Sequence, residues 1–514
     1  MARKKVYAAI DVGSTEITLK IAELYKDALP RVLETLHRTL PLGTDTYTSG
    51  AISQPVLDAC LQVLEGFVRT LEGYRVAECR AVATSAFREA ANRDYALDQI
   101  ERHSQLTLNI LDNAEERSFH LLAASSRLPD FTSLISQGTL IVDVGSGSIQ
   151  VTVYDKGQFI FSQNMLLGSL RIRDLLADLE RRTADFAGLM EEYIASDLDN
   201  YRLLEPKGIL YQNLVILGGE LPYLKRLAGL DPEANAVLGT EQMDRLVQLL
   251  LSERPSDLAS QSGIPVEHAT LLLPTALILR KFVLYTGVKH LQLPSADLCD
   301  AVLIDFARQH YGFKPPHDTR QDTLNASRYI ARRYHVNQHH TAFVEKAALL
   351  LFDETVRLHR LDARARLLLQ VAVQLHDAGK YINMSKHHIQ SRSLILASEI
   401  IGLSQRETAL VAWTAGFHIG PFAMDLPGFS DLPQADRVVV AKLTAILRIA
   451  NALDSGHQQK IASLEVGLEP GRLVLQVKTR HDILLEIWAL ERQGRLFWQL
   501  FAHQPVIKIR SSRT

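Results

Sequence analysis

Two stretches of the chain share one pattern of apolar and polar positions. Residues 6–22 open on an apolar run, break at Asp11-Val12-Gly13-Ser14, and resume with Ile17, Leu19 and Ile21 at every second position. Residues 140–154 repeat the plan: an apolar run, the break Asp143-Val144-Gly145-Ser146-Gly147-Ser148, then Ile149, Val151 and Val153. Alternation at period two lines one face of a strand, so each stretch predicts a β-hairpin. Between the copies, 54–72 and 93–103 read as helices, and 78–83 and 107–111 as strands. Later, Leu214 to Leu217 reads as a buried strand ending in Gly218-Gly219-Glu220. The first ~300 residues therefore predict two related α/β lobes, each opening with the same hairpin.

The pattern then changes. Residues 312–321 are polar, contain Pro315-Pro316 and predict a linker. Helical periodicity follows: an apolar run at 367–375, a helix from His340 through Val344, Ala347 and Leu350, and another at 438–453. Alternation returns at 463–468, 472–479 and 506–510, around a helical 482–493, and predicts a small α+β cap. At ~100–200 residues per domain, 514 residues suggest three to four domains. The expected boundaries are 1–125, 126–312, 313–458 and 459–514.

Composition narrows the class. With 56 basic and 58 acidic side chains the formal net charge is -2, without the basic excess of a general nucleic-acid binder. A local basic cleft for a polyanion remains open. Cys60, Cys79 and Cys299 form no pair at metal-ligand spacing and read as reduced thiols of a cytoplasmic protein. The basic opening Met-Ala-Arg-Lys-Lys leads into an apolar run that stops at Asp11, too short for a signal peptide. The apolar stretch 271–279 is interrupted by Pro274, so no membrane span is expected.

The chemistry sits at the breaks. After a strand ending in Asp, Gly-Ser lets backbone N–H groups turn toward an anion, and the Asp offers a hard oxygen to a divalent metal. Turn chemistry explains any single copy; two facing copies suit a phosphate chain gripped from both sides. Ala83-Thr84-Ser85-Ala86-Phe87-Arg88 adds hydroxyls and a guanidinium ahead of a helix-like 89–92, and reads either as an anion site or as a capped helix start. Glu115-Glu116 sits in a first helical turn, as macrodipole complement or as general base. Leu167-Gly168-Ser169-Leu170-Arg171 and Gly218-Gly219 are further loop candidates.

In this order the segments resemble the exopolyphosphatase / guanosine pentaphosphate phosphohydrolase family of the actin-like ATPase superfamily. The likeness rests on Ala9 to Ser14, Ala83 to Arg88 with Ala90 and Asn92, Glu115-Glu116, Val142 to Ser148, Leu167-Gly168 with Arg171, and Gly218-Gly219. It implies two actin-like (ribonuclease H-like) lobes and release of terminal phosphate from inorganic polyphosphate, or of the 5′-γ-phosphate of guanosine pentaphosphate. By that likeness Glu116 activates water, Asp143 holds Mg²⁺ or positions the nucleophile, and Arg88 clamps phosphate. Asp11, Gly13, Ser14, Thr15, Thr84, Ser85, Gly145, Ser146, Gly147, Ser148, Gly218 and Gly219 would cradle the phosphates. The chain departs from the family's pattern at Thr15, Asp112-Asn113, Gln150, Glu220 and His268. Gln150 removes a metal-seeking carboxylate.

The C-terminal half carries a second constellation: His340, His376-Asp377-Ala378-Gly379-Lys380, His388, His418 and Asp454. Imidazoles with carboxylates suit Zn²⁺, Mn²⁺, Fe²⁺ or, with more waters, Mg²⁺. The set resembles the HD-superfamily metal phosphohydrolases and implies an all-α HD-like domain, with His388 and His418 completing a second metal position. The competing reading is a degenerate helical domain that binds polyphosphate or forms a dimer. The expected assembly is a cytoplasmic homodimer with no nucleic acid or membrane partner. A hydrolase at the HD site acting on a nucleotide phosphoester, and a non-catalytic polyphosphate or alarmone sensor, are the other functions weighed.

Overall fold

A computed structural model describes residues 5–510; the basic opening at Met1 to Lys4 lies outside them. The chain forms two compact units that divide between Asp322 and Thr323. In the first unit, β1 (Val6–Val12), β2 (Glu16–Glu23), β3 (Arg31–Thr39), β4 (Glu78–Ala83) and β5 (Leu108–Ile110) form a sheet in the order β3-β2-β1-β4-β5. The second sheet contains β6 (Gly138–Val144), β7 (Ile149–Asp155), β8 (Gln158–Met165), β9 (Tyr211–Leu217), β10 (Ala236–Gly239) and β11 (His290–Leu293), in the order β10-β11-β9-β6-β7-β8.

Apart from β10 at its edge, the second order copies the first. In each, an antiparallel hairpin opens the lobe and its first strand pairs in parallel with a strand that arrives after helices. The repeat seen in the hairpins thus extends to whole sheets. Alternation explains the packing: Ile17, Leu19 and Ile21 enter one core with Ala8, Ile10 and Val12. Tyr7 and Ala9 point to the opposite face, against the helix Leu298–Tyr311.

Two local readings change. Pro274 does not break its apolar run but sits inside the 21-residue helix Val266–Thr286. That helix is long and apolar enough to cross a membrane by composition, yet most of it is buried among the lobe's other elements. The segment after Ala83 is helical at Ser85–Glu89 rather than beyond it, because Ala90 is already extended.

The expected linker is partly structured: a helix starts at Thr319, and Asp322 is buried and accepts hydrogen bonds from Tyr154 and His317. Beyond it, the second unit is mainly helical. Its helices Gln338–Glu354, Ala363–Leu375, Gln405–Gly416 and Gln434–Ala452 pack on one another. Strands β12 (Ile461–Glu469), β13 (Arg472–Thr479) and β14 (Gln504–Ile509) form a sheet in that order, with the helices Leu484–Gln493 and Arg495–Phe501 between β13 and β14. The helix Leu484–Gln493 packs on Gln434–Ala452, so the terminal α+β segment belongs to the same compact unit.

Candidate active-site cleft and metal cluster

The two Asp-Val-Gly-Ser loops close on the same hydrogen bond: Gly13 N–H donates to Glu16 O at 2.9 Å and Gly145 N–H to Ser148 O at 3.0 Å. They also meet. Thr15 Oγ1 and Ser146 Oγ lie 3.4 Å apart, and Ser14, Tyr47 and Ser85 form a hydroxyl triangle with sides of 2.8, 2.8 and 3.1 Å. A Cβ on Gly147 would stand 2.1 Å from the Tyr47 hydroxyl, so this glycine is needed for the lobes' approach as well as for any anion. Arg171 straps the second loop to the first lobe: it donates to Gly147 O and to Glu89, and its guanidinium lies 4.3 Å over the Tyr47 ring. The first-turn N–H groups of Leu170 and Arg171 donate to Ser146 O, which fixes the loop.

Ionisable groups gather around Asp11 and Asp143, which open the loops. Arg88 donates to Glu116 at 2.8 Å and to Leu111 O at 2.7 Å, so the expected base and the expected clamp are hydrogen-bonded to each other. Glu115 instead closes a capping box with Asp112. Sequence reasoning missed His120, whose Nδ1 lies 2.7 Å from Asp143 Oδ2. Glu115-Glu116 sits in the first turn of the helix Asn113–Arg127, and four residues separate Glu116 from His120, so both share one helix face. Burial alone would push the imidazole down, but Asp143, Glu116 and Asp11 outweigh it and hold it at about 9. Burial, with Asp297 and Glu116 nearby, pushes Asp11 up to about 8. Asp11 Oδ1 and both amide atoms of Gln150 are buried without hydrogen-bond partners. Gln150 stands directly opposite Asp143 in the β6–β7 register. Thr84 lies at the start of the helix carrying Ser85 and Arg88; Gly218 and Gly219 follow β9.

The second unit gathers its own cluster. His376, His387 and His418 each direct Nδ1 at a backbone carbonyl, Val373, Met384 and Ala415, at 2.7–2.8 Å. A donating Nδ1 leaves Nε2 as a lone pair. Those Nε2 atoms lie 3.6–3.7 Å from the two Asp377 oxygens, with Oδ2 facing His376 and Oδ1 facing His387 and His418. The His387 and His418 Nε2 atoms are only 3.2 Å apart, two lone pairs that repel unless they share a cation. His340 joins His376 and Asp377 in one group, and its Nδ1 is 2.8 Å from Asp454. Burial pushes His376 and His418 down, toward the neutral form a metal needs. Asp377 is buried, but His376, His418 and Lys380 hold it far below the usual carboxylate range.

His388 stays out of the cluster and His387 enters it, because neighbours on a helix point about 100° apart and only one of the doublet can face Asp377. Gly379 allows the start of this helix to approach closely. A Cβ there would lie 2.1 Å from His387 O, and Ser391 bridges Gly379 N–H to His376 O.

Two family models match the chain: the Ppx/GppA phosphatase family over residues 21–300, and Ppx/GppA phosphatase domain III over residues 320–493. The chain belongs to the Ppx/GppA phosphatase family. Exopolyphosphatase 1 of Mycobacterium leprae is 24% identical over 300 residues, covering 56% of this chain and 84% of that protein. An exopolyphosphatase from Cytophaga hutchinsonii matches with a TM-score of 0.53 at 18% identity, covering 61% of this chain and 100% of that one. The Aquifex aeolicus Ppx/GppA family member matches with a TM-score of 0.50 at 20% identity, covering 62% and 100%. These structures share the fold. As a Ppx/GppA phosphatase the chain is a hydrolase of phosphoanhydride bonds.

Set against the Ppx/GppA pattern, two of the departures are partners. Glu220 is buried with its Oε2 3.1 Å from His268 Nδ1, and His268 Nε2 lies 3.5 Å from Glu16 on β2. A carboxylate in the third loop and an imidazole on the helix Val266–Thr286 satisfy each other, so neither is an isolated anomaly.

Proposed function

We propose that the cleft where the two loops meet cleaves the terminal phosphate from inorganic polyphosphate. The observation that carries this reading is His120 paired with Asp143 and close to Glu116 and Asp11, where Asp11 and Asp143 open two loops whose hydroxyls meet. Glu116, oriented by Arg88, takes the proton from attacking water. His120 holds Asp143 in place, and Ser14, Ser85 and Ser146 supply donors to phosphate oxygens. The donor set suits a hard cation: Asp143, the unpaired Asp11 Oδ1 and Gln150 Oε1 would hold Mg²⁺, which neutralises phosphate charge when bound. The test is orthophosphate release from long-chain polyphosphate with Mg²⁺, beside guanosine pentaphosphate. Glu116→Gln is expected to lower the rate by about 10²–10⁴-fold. No release, or release indifferent to that substitution, overturns the reading. The three free thiols support a reducing, cytoplasmic setting.

A second reading is favoured by the aimed imidazoles of the other unit: an HD-type metal phosphohydrolase. His340, His376, Asp377, His387, His418 and Asp454 would hold Mn²⁺, Fe²⁺ or Zn²⁺, which supplies Lewis acidity when bound. Metal analysis of His376→Ala is its test, with loss of bound transition metal expected.

A further inference from the structure

Beside the Asp377 cluster lies a cavity of about 320 Å³ whose far wall comes from the helix Leu484–Gln493, in the terminal segment rather than the helical core. Trp488, Arg492 and Gln493 line it together with Lys380 and His457. Trp488 is 52% exposed, unusual for an indole within a lined cavity. The Arg492 guanidinium lies 4.8 Å from the centroid of its ring, within cation–π range. Asp377, His387 and His418 line the same cavity, and Lys380, also in its lining, reaches Asp377 at 2.6 Å.

We propose that this cavity binds a nucleoside monophosphate unit, its base stacked on Trp488 and its phosphate between Arg492 and Lys380. The inference rests on the reading of the Asp377 cluster as a metal phosphohydrolase site, whose substrate class it names. An exposed indole accepts any nucleobase by its π-face, and the two cations in the lining, Arg492 and Lys380, suit a phosphate. The size is that of a small-ligand pocket. An inorganic phosphate chain uses the cations but has nothing to stack.

The test is binding to the full-length chain, read by indole fluorescence and calorimetry, with adenosine and guanosine 5′-monophosphates, ribose 5-phosphate and inorganic tripolyphosphate. Nucleotides are expected to bind about tenfold more tightly than ribose 5-phosphate. Trp488→Ala removes that advantage, Trp488→Phe restores most of it, and Trp498→Ala, outside the cavity, changes nothing. Equal affinity for ribose 5-phosphate, or nucleotide binding unaltered in Trp488→Ala, overturns the inference. Metal content and cleavage of bis(p-nitrophenyl) phosphate are read in the same preparations. Metal and cleavage without nucleotide preference sink the base subsite and leave the metal reading standing. A Trp488-dependent preference in protein that retains no metal upholds the subsite and removes the hydrolase reading.

Discussion

Gln150 faces Asp143 across the β6–β7 ladder with neither amide atom paired, and a buried unsatisfied polar group costs about 1–3 kcal/mol. Gln150→Glu returns the carboxylate of the family's pattern. The Mg²⁺ concentration for half-maximal phosphate release should then fall about tenfold, while thermal stability in chelator falls, because a further anion joins Asp11, Asp143 and Glu116. Titration of His268 offers a separate test. Burial would lower its pKa, but Glu16 and Glu220 raise it to about 10; Glu16 itself, despite burial, is held at about 2 by His268 and His37. A raised His stabilises fully below its unfolded value of ~6.5 and loses that contribution as pH rises through 10. A depressed Glu contributes above ~4.5 and loses it as pH falls through 2. Both act together between those unfolded values. His268→Ala should therefore destabilise by about 3–5 kcal/mol at pH 5.5 and by much less at pH 10, in urea unfolding at the two pH values. The sequence exposed Gln150, Glu220 and His268 as oddities, but not that the last two touch. Contacts between distant elements leave no mark on local pattern.

At the level of elements, alternation located both hairpins and the terminal strands because successive side chains go to opposite faces, although in the hairpins both faces are covered. The helix after Ala83 lay earlier than expected, and Pro274 was tolerated inside a helix, where burial of eight apolar side chains of the same helix outweighs one lost hydrogen bond. The His387-His388 doublet was ambiguous for a physical reason: both imidazoles have the same chemistry, and only the helix phase selects one. Metal analysis of the two alanine variants checks that choice. His387→Ala should lower bound transition metal, and His388→Ala should leave it unchanged. His120 was invisible for a similar reason. A single histidine in a helix carries no signal until the strand bearing Asp143 is laid beside it.

For the whole molecule, the two ionisable clusters sit in different compact units, with separate ligand sets. The double variant His376→Ala, Asp377→Ala is accordingly expected to lose transition metal yet keep polyphosphate cleavage, in parallel metal and phosphate assays. Within the first unit, the contacts holding the loops together differ in kind. Ser14, Tyr47, Ser85, Thr15 and Ser146 are neutral, whereas the Arg171–Glu89 strap is ionic and partly exposed. Added electrolyte screens the strap and leaves the hydroxyls untouched. The ionic-strength dependence of this contact therefore enters first through the partly exposed Arg171–Glu89 pair, whereas the more buried His120–Asp143 and His268–Glu16 pairs are screened less.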